Sequence, residues 1–127
     1  MNREILFPTP IYMKMVKDPK KLNKYLYSLI KAWSKKDKSE TKTNAGGGWH
    51  SPVDMNFKDE YKPLTDELFT MQHEIFKDYG MEPKPGLGNM WANINYPGSY
   101  NLQHIHPNSQ WSGVYYIKVP KNSGRLF

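Results

Sequence analysis

The sequence predicts an α+β fold in which an N-terminal strand and two amphipathic helices precede a run of antiparallel strands. Three patterns predict these elements: proline-rich alternation near the start, helical spacing of apolar residues in two central segments, and period-two alternation after residue 88. This order is typical of an α+β domain whose strands close into a jelly roll. We interpret 1–127 as one domain, with the N-terminal strand and helical support in 1–85 and the first jelly-roll strands in 86–127.

The first predicted element is an extended segment over residues 4–16. Pro8 and Pro10 exclude a helix and place this strand at a sheet edge or at an irregular entry. Apolar side chains then recur at every second position, at Ile11, Met13 and Met15.

Each of the two helices has a local start or stop signal. The first is predicted to begin at Asp18-Pro19, with Asp18 as the N-cap and Pro19 in the first turn. Its apolar face is predicted to be Leu22, Tyr25, Leu26, Leu29, Ile30 and Trp33. The second helix is predicted from Pro63 to Tyr79, with Gly80 as its stop.

The net charge of +6 lies entirely in residues 17–42, which hold nine lysines against three acidic residues. Sixteen of the eighteen basic residues are lysine, whereas nucleic-acid readers favour arginine, so we interpret this segment as a solvated face rather than a nucleic-acid site. No apolar run approaches the roughly 20 residues of a membrane span, so no membrane contact is expected. The absence of cysteine excludes disulfide scaffolds and thiolate metal sites, and without a signal-peptide core it points to the cytoplasm.

The last third of the chain is predicted to form strands. Residues 89–96 alternate between two faces, and a further strand is predicted over 110–119. One face of 89–96 is apolar: Met90, Ala92 and Ile94. The other face suits the lining of a polar pocket: Trp91, Asn93 and Asn95.

His104 and His106 are the candidate chemical site. Residues two apart in a strand point to the same face, so both imidazoles can meet at one ion, and neutral imidazole suits Fe, Zn, Cu and Ni. The alternative is a pair of turn histidines that hydrogen-bond the backbone, steered by Pro107 and Asn108.

Several short motifs surround this pair: Trp91-x-Asn93, Pro97-Gly98, His104-x-His106-Pro107, Ser112-Gly113-x-Tyr115-Tyr116, Val119-Pro120 and, near the start, Leu6-Phe7-x-Thr9-Pro10. Together they resemble the core of the iron(II)/2-oxoglutarate-dependent oxygenases, in particular a branch common in marine bacterial and phage genomes. The similarity covers the N-terminal strand and residues 89–127. It implies a double-stranded β-helix of the jelly-roll or cupin type and a hydroxylase-type dioxygenase that uses Fe(II), with 2-oxoglutarate as cosubstrate.

The resemblance to the prolyl hydroxylases of that superfamily implies a role for each candidate residue. His104 corresponds to the first iron ligand, and His106 stands where those enzymes have a carboxylate. Tyr96 corresponds to the tyrosine beside 2-oxoglutarate, Tyr116 to the one that hydrogen-bonds its far carboxylate, and Asn93 belongs to the same cosubstrate site. Strand parity leaves open whether Tyr116 or the tyrosine before it faces inward.

Two features depart from the family pattern. No Asp or Glu follows Glu82, so a third metal ligand would be His50, His73 or a carboxylate of the helical half. Arg125 comes too early to be the basic partner of 2-oxoglutarate. We therefore expect the chain to hold roughly the first half of a barrel, truncated at its C-terminus, and to form a homo-oligomer through an exposed strand edge.

The leading prediction is thus an incomplete 2-oxoglutarate/Fe(II)-dependent oxygenase, whose primary substrate the sequence does not reveal. One alternative is a non-catalytic jelly-roll binding or structural domain with no metal, which would use the polar face of 89–96. Another is a lysine segment that binds nucleic acid or an anionic surface, with affinity that falls steeply as salt rises.

Overall fold

Two helices dominate the described part of the chain. The structure is a computed structural model that describes residues 8–37, 44–45, 47–84 and 86–124. Residues 4–7 of the predicted first strand, residues 38–42 of the lysine-rich region and Arg125 lie outside it. Helix α1 spans Pro19–Lys36 and helix α2 spans Lys62–Asp78. No helix in the described ranges is both long and apolar enough to cross a membrane.

Both predicted helix signals are confirmed. The Asp18 carboxylate accepts a hydrogen bond from the Lys21 backbone N–H at 3.2 Å, and Pro19 occupies the first turn of α1. Gly80 follows α2 with φ of +64°, a conformation that favours glycine, and its N–H donates to the Lys77 carbonyl at 3.0 Å. Each signal acts within a few residues of chain, so the sequence predicts the start of α1 and both ends of α2 to within one residue. The end of α1, for which the sequence gives no such signal, lies at Lys36, three residues beyond the last residue of the predicted apolar face.

The buried core lies where α1, α2 and the segment before α2 meet residue 92. Its cluster of buried residues is Leu26, Ile30, Met55, Tyr61, Leu64 and Ala92. The rest of the predicted α1 face packs partly buried against this cluster, except Tyr25, which is 44% exposed. Tyr25 lies at the edge of the apolar arc, where a helical side chain can turn toward solvent.

The described residues contain four two-residue strands in two antiparallel ladders. β1 (Asn44–Ala45) pairs with β4 (Tyr100–Asn101), and β2 (Trp49–His50) pairs with β3 (Asn93–Ile94). Each ladder joins the connection between the helices to the last third of the chain. The architecture is therefore mixed helix and antiparallel strand, in agreement with an α+β fold, and a double-stranded β-helix is not confirmed.

The strand predicted over 110–119 forms no ladder in the described residues. Its alternation nevertheless persists, because Tyr115 and Ile117 pack against the core while Val114 and Tyr116 are exposed. Alternation in sequence decides which side chains are buried, whereas a ladder also needs a partner strand.

The N-terminal segment 8–16 also lacks a ladder and lies along α2 instead. The Tyr12 hydroxyl donates to the Asp78 carboxylate, and the Lys14 ammonium pairs with Glu74. The predicted alternation is present, but its apolar side faces solvent: Ile11 is 80%, Met13 90% and Met15 78% exposed. The docked side is the polar and aromatic one.

Candidate functional site

Backbone hydrogen bonds fix the strand that precedes the histidine pair. Beyond the β2–β3 ladder, the Ser51 N–H donates to the Ala92 carbonyl at 3.0 Å, and the Ala92 N–H donates to Ser51 Oγ at 3.0 Å. Ser51 is fully buried, so these bonds form away from water, where leaving either partner unpaired would be costly. The backbone around Ala92 is therefore held rigidly to the segment before α2.

The two predicted faces of 89–96 are confirmed. Ala92 is buried, and the flanking residues of the apolar face, Met90 and Ile94, pack against the core. On the opposite face Asn93 and Asn95 are exposed and Trp91 is half-buried. The face that was predicted to line a polar pocket thus points away from the core.

His104 and His106 are brought together beyond β4. Their ring centroids are 4.8 Å apart and the ring planes cross at 82°. His104 is exposed and His106 is half-buried. The chain around them turns rather than running as a strand: Asn108 has φ of +64°, and the Ser109 N–H donates to the His106 carbonyl at 3.2 Å.

One hydrogen bond fixes the tautomer of His104. Its Nδ1 lies 2.7 Å from the Leu102 carbonyl oxygen. A carbonyl oxygen only accepts, so Nδ1 carries a proton in this contact, and in the neutral ring Nε2 then keeps its lone pair. This is the backbone contact expected for a turn histidine, and it is also the usual arrangement for a histidine that binds metal through Nε2.

A third histidine, His50, is connected to the pair through the indole ring of Trp91. Trp91 stacks on His50, with ring centroids 5.4 Å apart and ring planes at 20°. Its ring centroid also lies 5.6 Å from that of His106. His50 is buried, and its Nδ1 donates to the Ser51 carbonyl at 2.5 Å. Among the described residues no three histidine or carboxylate side chains are grouped so that they could hold a metal ion. His50 is therefore not a third ligand in this geometry.

The predicted cosubstrate residues are open to solvent. Tyr96 is 50% and Tyr116 55% exposed, and Asn93 is exposed opposite His50 in the β2–β3 ladder. No hydrogen bond or ring contact between either tyrosine and the histidine pair occurs in the described structure. The two tyrosines and the pair are thus near in sequence but are not in direct contact.

Of the two adjacent tyrosines, Tyr115 is the one that faces the core. Its ring packs against the core, and its hydroxyl donates to Asn23 Oδ1 on α1 at 2.6 Å. Burial, and to a smaller extent the negative charge of Glu67, raises the pKa of the Tyr115 hydroxyl. Tyr115 therefore ties this segment to α1, and Tyr116 points to solvent.

His73, the other candidate third ligand, lies on the exposed side of α2. Its Nδ1 donates to the Phe69 carbonyl at 3.1 Å. Together with Glu74 and Glu82 it lines a shallow cleft of about 390 Å³ whose lining does not include the histidine pair. His73 is thus in a different part of the molecule from His104 and His106.

Sequence reasoning missed the connection between Trp91 and His50. The two residues are 41 positions apart, and neither the periodicity nor a motif around them indicates the contact. It arises from the β2–β3 ladder, which brings the backbone of His50 beside the strand that carries Trp91.

Comparison with protein families gives a match to the last third of the chain. Residues 89–127 match a family model described as "Putative 2OG-Fe(II) oxygenase". The matched segment contains Trp91, both histidines and the tyrosine motif, and the match supports membership of that superfamily. No curated protein and no solved structure gives a significant match to the chain.

Proposed function

We propose, from a family match that supports membership of the iron(II)/2-oxoglutarate oxygenase superfamily, that His104 and His106 are metal ligands of such an oxygenase. The observation that carries the proposal is the approach of their ring centroids to 4.8 Å, with Nδ1 of His104 hydrogen-bonded to a carbonyl and no hydrogen bond to Nε2 among the described residues. Bound Fe(II) and 2-oxoglutarate supply the oxidising chemistry by which this superfamily hydroxylates C–H bonds.

The donor set fits a divalent ion that accepts imidazole nitrogen, which includes Fe(II). Two imidazoles from one short segment leave further coordination positions for water or for a bidentate 2-oxo acid. The described residues add no third ligand, so a complete triad needs a ligand from elsewhere. We therefore assign His104 and His106 to a two-histidine site.

The chain's own residues bind and orient in this proposal. His104 keeps its proton on Nδ1, which directs Nε2 to the metal. Tyr96 and Tyr116 offer solvent-open hydroxyls that can donate to a carboxylate, and Asn93 offers an amide on the same face as Trp91. We assign these three residues to the 2-oxoglutarate site.

An anaerobic titration tests the metal site. Fe(II), or Mn(II) as a redox-silent substitute, is added to the wild-type protein and to a His104→Ala/His106→Ala variant, each with and without 2-oxoglutarate. We expect the double variant to lose roughly tenfold or more in affinity, because two of the ligands are gone, and 2-oxoglutarate to tighten binding only in the wild type.

His73→Ala is the matched control, since it removes an exposed histidine from α2. It is expected to leave affinity unchanged. Equal binding by the double variant and the wild type would contradict the proposal. If the folded wild type binds neither ion, the alternative of a metal-free binding or structural domain stands instead.

Self-association through a strand edge stays a prediction, and we propose the N-terminal segment as that edge. Residues 8–16 form no ladder among the described residues and present three apolar side chains to solvent. Sedimentation velocity over a range of concentrations is expected to show species heavier than the 14.9 kDa chain. A monomer at every concentration would contradict this prediction.

A further inference from the structure

We propose that Trp91, backed by His50, is the positioning residue that holds the His106 imidazole beside His104. The consequence for metal binding rests on the proposed function, but the ring contacts themselves do not.

The two candidate ligands are restrained in different ways. His104 is oriented by its hydrogen bond to the Leu102 carbonyl. In the described part of the chain, neither ring nitrogen of His106 makes a hydrogen bond, and the aromatic rings beside it are those of Trp91 and His104, with centroids 5.6 Å and 4.8 Å away. A histidine side chain has two rotatable bonds, and where no hydrogen bond fixes them, ring contacts restrict its orientation. We therefore take the Trp91 contact as the restraint that orients His106.

Trp91 is suited to this role because its own backbone is fixed on both sides. The Met90 N–H donates to the Val53 carbonyl at 3.1 Å, and the Ala92 N–H donates to Ser51 Oγ at 3.0 Å. The indole between them is half-buried. Its ring is thus held by the segment before α2 while its surface remains accessible to His106.

His50 completes the arrangement from the buried side. It is 6% exposed, its Nδ1 bond to the Ser51 carbonyl fixes its ring plane, and the indole of Trp91 stacks on it nearly parallel. Aromatic pairs at such separations are attractive beyond the area they bury. His50 therefore acts on His106 through Trp91, as a rigid support and not as a ligand.

The ring contact is tested first in the metal-free protein. We record the side-chain ¹H–¹³C NMR signals of the histidines in wild type, Trp91→Leu and Trp91→Phe. The indole ring current is expected to shift the His106 ring protons, so Trp91→Leu moves those signals while the His73 signals stay in place. Trp91→Phe is expected to keep part of the shift. Unchanged His106 signals in Trp91→Leu would overturn the proposal.

Mn(II) affinity then tests whether the contact positions a ligand. Trp91→Leu is expected to weaken binding about tenfold, as loss of an outer-shell partner of a metal ligand typically does, and Trp91→Phe to restore most of it. Trp111→Leu makes the same chemical change at another half-buried tryptophan, which packs on Tyr12 and Tyr79, and is expected to leave affinity unchanged. Equal losses of Mn(II) affinity in the two leucine variants would overturn positioning by Trp91. So would unchanged affinity in Trp91→Leu while His106→Ala abolishes binding.

Two substitutions at His50 distinguish a ring that supports Trp91 from a metal ligand. His50→Phe keeps a flat ring against Trp91 but has no nitrogen, so near-wild-type Mn(II) affinity is expected. His50→Ala removes the ring and is expected to weaken binding as Trp91→Leu does. A loss in His50→Phe as large as in His106→Ala would make His50 a ligand and contradict the proposal.

The two proposals fail in distinguishable ways. If the wild type binds no Mn(II), the proposed metal function fails, and the metal-free NMR comparison still decides whether Trp91 holds His106. Far-UV circular dichroism of every variant shows whether α1 and α2 are retained. Should Trp91→Leu unfold the protein, Trp91→Phe and the His50 pair decide the question, because they preserve more of the packing.

Discussion

The helical half of this protein and the segment that matches the oxygenase family differ in burial. Every buried apolar residue of the described structure except Ala92 lies between the start of α1 and the end of α2. From Asn93 to Gly124 no side chain is buried, although this segment carries His104, His106 and the family motifs. Core packing and the candidate chemistry thus lie mainly in separate regions, joined by the β2–β3 ladder and by Tyr115. Substitutions in the two regions should therefore have separable effects.

Matched leucine substitutions give the largest expected contrast between the regions. Leu26 is fully buried in the core, whereas Leu102 is 64% exposed beside the histidine pair. Leu26→Ala removes buried contacts and leaves a cavity, so we expect a loss of about 2–5 kcal/mol in the free energy of unfolding, measured by urea denaturation. Leu102→Ala is expected to change it by no more than about 0.5 kcal/mol. Equal losses would contradict the assignment of the stabilising burial mainly to the helical half.

The next largest expected effect is the loss of stability at alkaline pH, and it arises from Tyr61 in the helical half. Burial, with added repulsion from Glu60 and Tyr25, raises the pKa of Tyr61 from 10.0 to about 12. Because the folded pKa lies above the unfolded one, this stabilisation is complete below pH 10.0 and is lost as pH rises through about 12. The contribution is about 3 kcal/mol.

Urea denaturation of wild type and Tyr61→Phe across this pH range checks the effect. The phenylalanine variant has no hydroxyl to ionise, so its stability is expected to fall less steeply with pH. The same slope in both proteins would show that Tyr61 does not control the alkaline transition.

The smallest expected effects concern two adjacent tyrosines, Tyr115 and Tyr116. Tyr115→Phe leaves Asn23 Oδ1 without its donor, so we expect a loss of about 1 kcal/mol in the free energy of unfolding and unchanged metal binding. Tyr116→Phe is expected to leave stability unchanged and to weaken the tightening of Mn(II) binding by 2-oxoglutarate, because Tyr116 points to solvent. The reverse pattern would place Tyr116 in the fold and Tyr115 at the site.

The helices could be predicted because their signals are local. Asp18 and Gly80 mark the start of α1 and the stop after α2, and the apolar spacing identifies the buried face. The ladders could not be predicted, since β1 and β2 come from the connection between the helices and their partners lie about fifty residues later. The N-terminal segment shows the same limit: its alternation was visible in the sequence, but the docked face is set by Asp78 and Glu74 on α2.

The sequence identifies the residues of the candidate site but not the contacts that surround them. The motifs identify His104 and His106, and the structure places their rings together, but through a turn instead of a regular strand. The contact of Trp91 with His50 depends on pairing between distant segments, which no local pattern encodes. The inward position of Tyr115 likewise depends on its bond to Asn23 of α1.

The most direct measurement locates the metal by its effect on nuclear spins. Mn(II) is titrated at substoichiometric amounts into ¹⁵N-labelled protein, and the broadening of each backbone amide signal is recorded. We predict that the signals of His104 and His106 broaden first, followed by that of Trp91, while those of Glu74 and Glu82, in the cleft that His73 also lines, remain sharp. Broadening centred on Glu74 and Glu82, with the histidine signals unaffected, would contradict a metal site at the histidine pair.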